Sequence, residues 1–157
     1  MNEDNIATHD SPAWIDRANF LIVADLSDHG MKGRTEQIWA RKIDADKFEV
    51  CCIPFFTYGI ALGDVVVVSL GEERMYTIER VVENSGRRVY RLWLKGVGES
   101  ERATIEKFLC DQSLLFERYS ANLLSIDAPK SLDTIERIQS FLRDFSERTG
   151  APVENGN

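Results

Sequence analysis

Apolar residues alternate with polar ones through most of residues 18–95 and recur at helical spacing in two segments beyond residue 96, so a β-rich part precedes an α/β part. Ala18 to Leu26 is apolar and partly β-branched and predicts a first strand, followed by a polar, glycine-bearing loop over Ser27 to Gly33. Glu36 to Ile43 alternates, with Gln37, Trp39, Arg41 and Ile43 on one side and Glu36, Ile38, Ala40 and Lys42 on the other. Asp44-Ala45-Asp46 turns it into a strand from Lys47 to Ile53, where Phe48, Val50 and Cys52 share a face. Val65 to Val68 has no polar alternation, which predicts a central strand buried on both faces. Met75 to Glu83 predicts another strand, with Tyr76, Ile78 and Val82 on one face. Asn84-Ser85-Gly86 then turns the chain into a strand from Arg88 to Lys95.

Between the hairpin and the valine strand runs Ile53-Pro54-Phe55-Phe56-Thr57-Tyr58-Gly59-Ile60-Ala61-Leu62-Gly63-Asp64. Pro54 lacks an N–H and stops strand pairing, while Gly59 and Gly63 supply backbone freedom, so this segment is expected to be a tight aromatic crossover. Pro54, Phe55, Tyr58, Gly63 and Asp64 are its structural motif. Asp64 is expected to cap turn N–H groups, a role that an amide in its place would largely keep.

Beyond Gly96-Val97-Gly98, Ser100 can cap a helix running to about Asp111 with Ile105, Phe108 and Leu109 as its apolar stripe. Leu114 to Arg118 and Ala121 to Asp127 predict short strands. Ser131 then caps a helix to about Arg148, with Ile135, Ile138, Leu142 and Phe145 on one face and Gly150 at its end. The resulting fold class is α+β, with a mostly antiparallel sheet or partial barrel in the N-terminal half. A ferredoxin-like β-α-β-β-α unit is expected in the C-terminal half. Residues 1–17 read as a loose arm, 18–150 as a single domain (β-rich 18–95, α/β 96–150) and 151–157 as a disordered tail.

A chain of 157 residues with 43% hydrophobic content can form its own core without staples, and no apolar run approaches membrane-spanning length. The acidic, polar start Met1-Asn2-Glu3-Asp4-Asn5 differs from the basic-then-apolar pattern of a secretory signal, and the three cysteines show neither disulfide nor metal-site spacing. A reducing cytoplasm is expected. The net charge of −7 argues against non-specific attraction to nucleic acid or anionic membrane and allows a basic partner.

The crossover with its flanks resembles the bacterial domain of unknown function family 4265, which has an apolar segment ending in Ile-Pro-Phe and a Gly-Asp-Val a few residues on. Here these are Ile53-Pro54-Phe55-Phe56 and Gly63-Asp64-Val65, and the similarity extends from Glu36-Gln37-Ile38-Trp39-Ala40 to Asp127-Ala128-Pro129. After Ser85-Gly86 the family often has a His and then a Ser or Thr before an Arg. This sequence has Arg87-Arg88-Val89-Tyr90-Arg91, keeping the Arg and lacking the His, which counts against any mechanism needing that His. The resemblance implies a fold and no activity.

No catalytic constellation, cofactor motif or metal site is legible. His9 and His29 read as exposed loop residues, and Cys51 and Cys52 as one buried and one partly exposed thiol. Two surfaces are candidates. Asp25, Asp28, Glu72 and Glu73 fall in loops expected to cluster at one end of the sheet, where they would meet a basic protein. Arg87, Arg91 and Trp93 share one strand face with the basic and aromatic character of a ligand or nucleic-acid surface. Small size, acidity and the lack of catalytic groups point to a protein-binding module, in its specific form an immunity-type inhibitor of a basic toxin such as a nuclease. The alternatives are a nucleic-acid- or phosphate-binding protein or enzyme using the arginine face, and a regulatory homodimer.

Overall fold

The computed structural model describes residues 5–71 and 74–157. Its first sheet contains β1 (Ile6–Ala7), β2 (Phe20–Asp25), β3 (Thr35–Lys42), β4 (Lys47–Val50), β5 (Val65–Leu70) and β6 (Tyr76–Glu83). The strands lie in the order β1-β3-β2-β6-β5-β4, and β3 also pairs with β4, so β2 to β6 close into a five-stranded ring. An odd-numbered meander brings its first and last strands to the closure in the same direction. β2 accordingly meets β6 in parallel at Val23 and Thr77, and β1 joins β3 in parallel. The sheet is therefore mixed, where the hairpins taken singly suggested antiparallel pairing throughout.

The alternation of β3 sends Glu36, Ile38 and Ala40 inward, where the two apolar side chains meet Ile22, Ala24, Phe48, Val50, Cys52, Val66 and Val68. β5 pairs on both sides, as its valine run requires. Two register shifts between β5 and β6 change which residues of β6 face in: Val66 opposes Val81, Val67 opposes Arg80 and Val68 opposes Ile78. Val81 consequently packs on the barrel core, and Val82, expected there from simple alternation, is exposed.

The second sheet is built from β7 (Arg88–Trp93), β8 (Phe116–Arg118), β9 (Leu123–Ala128) and β10 (Val153–Asn155), antiparallel throughout in the order β10-β7-β9-β8. Helix α1 (Glu99–Asp111) lies between β7 and β8 in sequence, and α2 (Leu132–Thr149) between β9 and β10. Tyr90, Leu92 and Leu94 face the helices and pack with Ile105, Leu109, Ile138, Leu142 and Phe145. Ser131 caps α2 by accepting from Thr134 N at 3.3 Å, and Gly150 ends it at φ +77°. The start of α1 is at Gly98 with no side-chain cap, so Ser100 lies inside the helix.

The described part of the arm and the C-terminal segment are tied down, contrary to the expectation of a loose arm and a disordered tail. Ala7 and His9 are buried, and Trp14 N donates to Cys51 O at 3.0 Å. At the other end Ala151 is buried and β10 pairs with β7. Gly156 N donates to Val89 O at 2.9 Å, and Gly156 O accepts from Gly59 N at 2.8 Å. Polar composition alone suggested freedom. Each segment is short but supplies hydrogen bonds that buried backbone groups of the core would otherwise lack.

Candidate functional site

The crossover forms the seam between the barrel and the second sheet. Ile53, Ala61 and Leu62 pack against Val89 of β7 and against Ala13 and Trp14 of the arm. A crossover with two tight turns cannot pair all of its N–H groups within the sheets, and two carboxylates from opposite sides accept them. Glu36 of β3 takes Phe55 N at 2.7 Å on Oε2, and Phe56 N at 3.1 Å, Thr57 N at 3.0 Å and Thr57 Oγ1 at 2.7 Å on Oε1. Glu117 of β8 takes Ile53 N at 2.5 Å and Ala13 N at 3.2 Å on Oε2.

His9 lies between the two carboxylates. Its Nε2 is 2.8 Å from Glu36 Oε2, its Nδ1 is 2.7 Å from Glu117 Oε1, and its ring stacks on Phe55 at 4.2 Å with a 10° interplanar angle. Each ring nitrogen faces an acceptor, so both carry protons and the ring is an imidazolium. Burial opposes that charge, but the hydrogen bonds to Glu117 and Glu36 outweigh it and hold the His9 pKa above the ordinary histidine value. Burial also acts against the Glu36 charge, and its bond to His9 and the donated N–H groups hold its pKa below the usual carboxylate range. Arg91 of β7 completes the seam, donating from Nε to Pro54 O at 3.3 Å and from Nη2 to Thr57 O, with its guanidinium 4.9 Å from the centroid of Tyr58. Two carboxylates face one imidazolium and one guanidinium, and the buried network is balanced in charge.

This arrangement overturns several expectations from sequence. His9 is buried in the seam. His29 is half-buried, accepts Tyr58 N on Nδ1 at 3.2 Å and stacks on the Tyr58 ring at 5.5 Å. Cys51 and Cys52 are both fully buried; burial pushes Cys51 up to about 11 and raises Cys52 as well, so neither is a reactive thiolate. Arg91 is only 2% exposed and points into the seam, while Arg87 is paired with Asp127 and stacked over Trp14 at 5.1 Å. Of the expected arginine face only Trp93 is open, at 42% exposure, because the barrel-facing side of β7 is covered by the crossover. Asp64 is buried and uses both oxygens, Oδ2 accepting Ala61 N at 2.9 Å and Oδ1 accepting Ser85 N at 2.7 Å. An amide has one acceptor oxygen and would not reproduce this double cap.

The open feature is a groove of about 270 Å³ at the end of the barrel, bounded by the end of β2, the single-turn helix Ser27–His29, the crossover at Thr57 to Ile60 and β6. Asp25 and Asp28 line it together with Glu79, which occupies one of the register shifts of β6 and whose Oε1 accepts from Ser69 Oγ. Arg80 is the one arginine in the lining, and Tyr58 and His29 form an aromatic wall. Asp25 Oδ1 accepts Ser27 N at 2.9 Å, and that bond holds its pKa below the ordinary value. Of the four acidic residues expected at one end, Asp25 and Asp28 do come together, and Glu72 and Glu73 lie outside the described residues. Glu79 was missed because alternation without a bulge gives it no special direction. Among the described residues no three His, Cys, Asp or Glu side chains are placed to hold a metal ion.

The sequence signal for the seam existed in part. Glu36 falls on the apolar side of an alternating strand, beside Ile38 and Ala40, and Glu117 falls in a short strand of a packed sheet; a carboxylate at either place needs partners. His9, among polar residues, carried no such mark. The model of the family described as Domain of unknown function (DUF4265) matches residues 36–151, and the chain belongs to that family. Glu36 and Glu117 lie within the matched span, and His9 lies outside it. A structure described as a novel crystal structure of a hypothetical protein from Neisseria gonorrhoeae is similar at a TM-score of 0.67 and 18% identity, covering 88% of this chain and 95% of that one. At this identity the likeness concerns the fold. No curated protein matches the sequence.

Proposed function

We propose that this protein is a binding module that receives a basic segment of a partner protein in the groove at the end of the barrel, and that its specific role is that of an immunity-type inhibitor of a basic toxin. The observation that carries the reading is the lining of the groove. Asp25, Asp28 and Glu79 set three carboxylates against the single Arg80, beside the stacked pair Tyr58 and His29. A cluster of carboxylates favours a guanidinium or ammonium group, and the net charge of −7 would steer a basic protein toward the chain. Tyr58 is 42% exposed at the groove, with its ring packed against His29 and the Arg91 guanidinium.

The remainder of the fold supports a rigid platform for such a site. The order β-α-β-β-α-β with sheet order β10-β7-β9-β8 is the arrangement expected of a ferredoxin-like unit, and this unit backs the crossover from which Tyr58 projects. Three unpaired cysteines suit a reducing cytoplasm. No helix among the described residues is long and apolar enough to cross a membrane. The nucleic-acid reading loses its main residue with the burial of Arg91.

The test is affinity capture from the native host with the wild-type chain and with a variant carrying Asp25→Asn, Asp28→Asn and Glu79→Gln. A basic protein retained by the wild type, eluted by salt, absent with the variant and toxic to cells unless this chain is co-expressed is the expected result. Recovery of RNA, or equal retention of the same protein by the variant, would refute the reading.

A further inference from the structure

The seat of His9 has the features of a ligand site. Its two edges are Glu36 Oε2 and Glu117 Oε1, 2.8 Å and 2.7 Å from the ring nitrogens, and its floor is the Phe55 ring, parallel to the imidazole at 4.2 Å. The two carboxylates come from different sheets, β3 and β8, and are held by the crossover N–H groups of Ile53, Phe55, Phe56 and Thr57. Those bonds are independent of His9, so the carboxylates keep their orientation when the ring is absent. The seat therefore specifies a flat cation with two N–H donors on opposite edges, and an aromatic floor adds cation–π attraction. The group that fills it is delivered by the N-terminal arm from outside the span that the family model matches.

We propose that Glu36, Glu117 and Phe55 form a binding site for an imidazolium group, occupied in cis by His9, and that the arm is a strap whose imidazolium is the ligand of that site. Cys52, the remaining titratable group beside the ring, is a buried neutral thiol, and Arg91 faces Thr57 on the far side of Glu36. Neither supplies a cation to the two oxygens that His9 bridges. A ring detached from the arm has the same charge and donors as the His9 side chain, and it would bind the folded state in preference to the unfolded one.

The experiment is thermal unfolding of full-length His9→Gly with imidazole, with 1-methylimidazole, which has a single N–H when protonated, and with sodium chloride at matched ionic strength. Imidazole is expected to raise the Tm of His9→Gly saturably and to leave the wild type unchanged, while 1-methylimidazole and salt give no comparable rise. Equal effects of imidazole and 1-methylimidazole, or no effect of either, would overturn the proposal. If His9→Gly does not fold, nitrogen NMR of the wild-type ring at about pH 8, well above the ordinary histidine range, decides. Two protonated ring nitrogens support the site, and a single one overturns it.

Discussion

Asp127 provides the sharpest link between the structure and a pH measurement. It lies on β9 almost fully buried; Oδ2 pairs with Arg87 and Oδ1 has no hydrogen-bond partner among the described residues. Burial raises its pKa and Arg87 lowers it; burial prevails, and the pKa is pushed up from 3.8 to about 6. Because the folded state holds this proton more tightly than the unfolded state, the contribution of Asp127 to stability is fully present below the unfolded pKa. It is lost as pH rises through the folded one. At about 1.4 kcal/mol per pH unit, the loss across this window is about 3 kcal/mol. Asp127→Asn removes the titration and leaves Arg87, which is partly exposed and stays hydrated. Urea unfolding followed by tryptophan fluorescence, at about pH 4 and about pH 7.5, reads the difference. Asp127→Asn should be more stable than wild type at the higher pH, with the gap shrinking by about 2 kcal/mol at the lower, which lies just above the unfolded pKa. A gap that is the same at both values would show that burial does not dominate the Arg87 pairing.

Other substitutions probe the crossover and the second sheet. Gly63 has φ +83°, and a Cβ there would come within 3.2 Å of Ser85 Cβ and of the Trp14 ring, so Gly63→Val should lower stability by about 1–3 kcal/mol from backbone strain and by more from the contacts. An unchanged melting curve would contradict the geometry. Asp64→Asn should cost about 1–3 kcal/mol, because its amide group turns a donor toward either Ala61 N or Ser85 N; chemical denaturation equal to wild type would show that a single oxygen suffices. Leu142, 2% exposed between α2 and the sheet, should lose about 2–5 kcal/mol on truncation to Ala, and a wild-type Tm for Leu142→Ala would mean that α2 does not dock by this face.

Much of the architecture was readable locally. The inward set Ile38 and Ala40, the shared face of Phe48, Val50 and Cys52, the doubly paired valine strand and the stripe Ile135, Ile138, Leu142 and Phe145 all follow from periods of two and 3.6 residues, which depend only on backbone geometry. Gly63 at positive φ and the turn role of Asp64 were legible for the same reason, since a turn is a property of a few consecutive residues.

What the tertiary structure decided lies wherever distant segments meet. Alternation alone placed Val82 inward, and two shifts in the pairing of β6 with β5 exposed it and left Glu79 unpaired beside the groove, its carboxylate accepting from Ser69 Oγ. Strand period placed Arg87, Arg91 and Trp93 on one face correctly, but which layer covers that face depends on how the crossover folds back, and it leaves only Trp93 open. His9, Glu36 and Glu117 are 27 and 108 residues apart along the chain as the ring meets each carboxylate. Their charges attract over a few ångströms once the low-dielectric seam has closed around them and are solvated separately before that, so no local pattern of residues encodes the pairing.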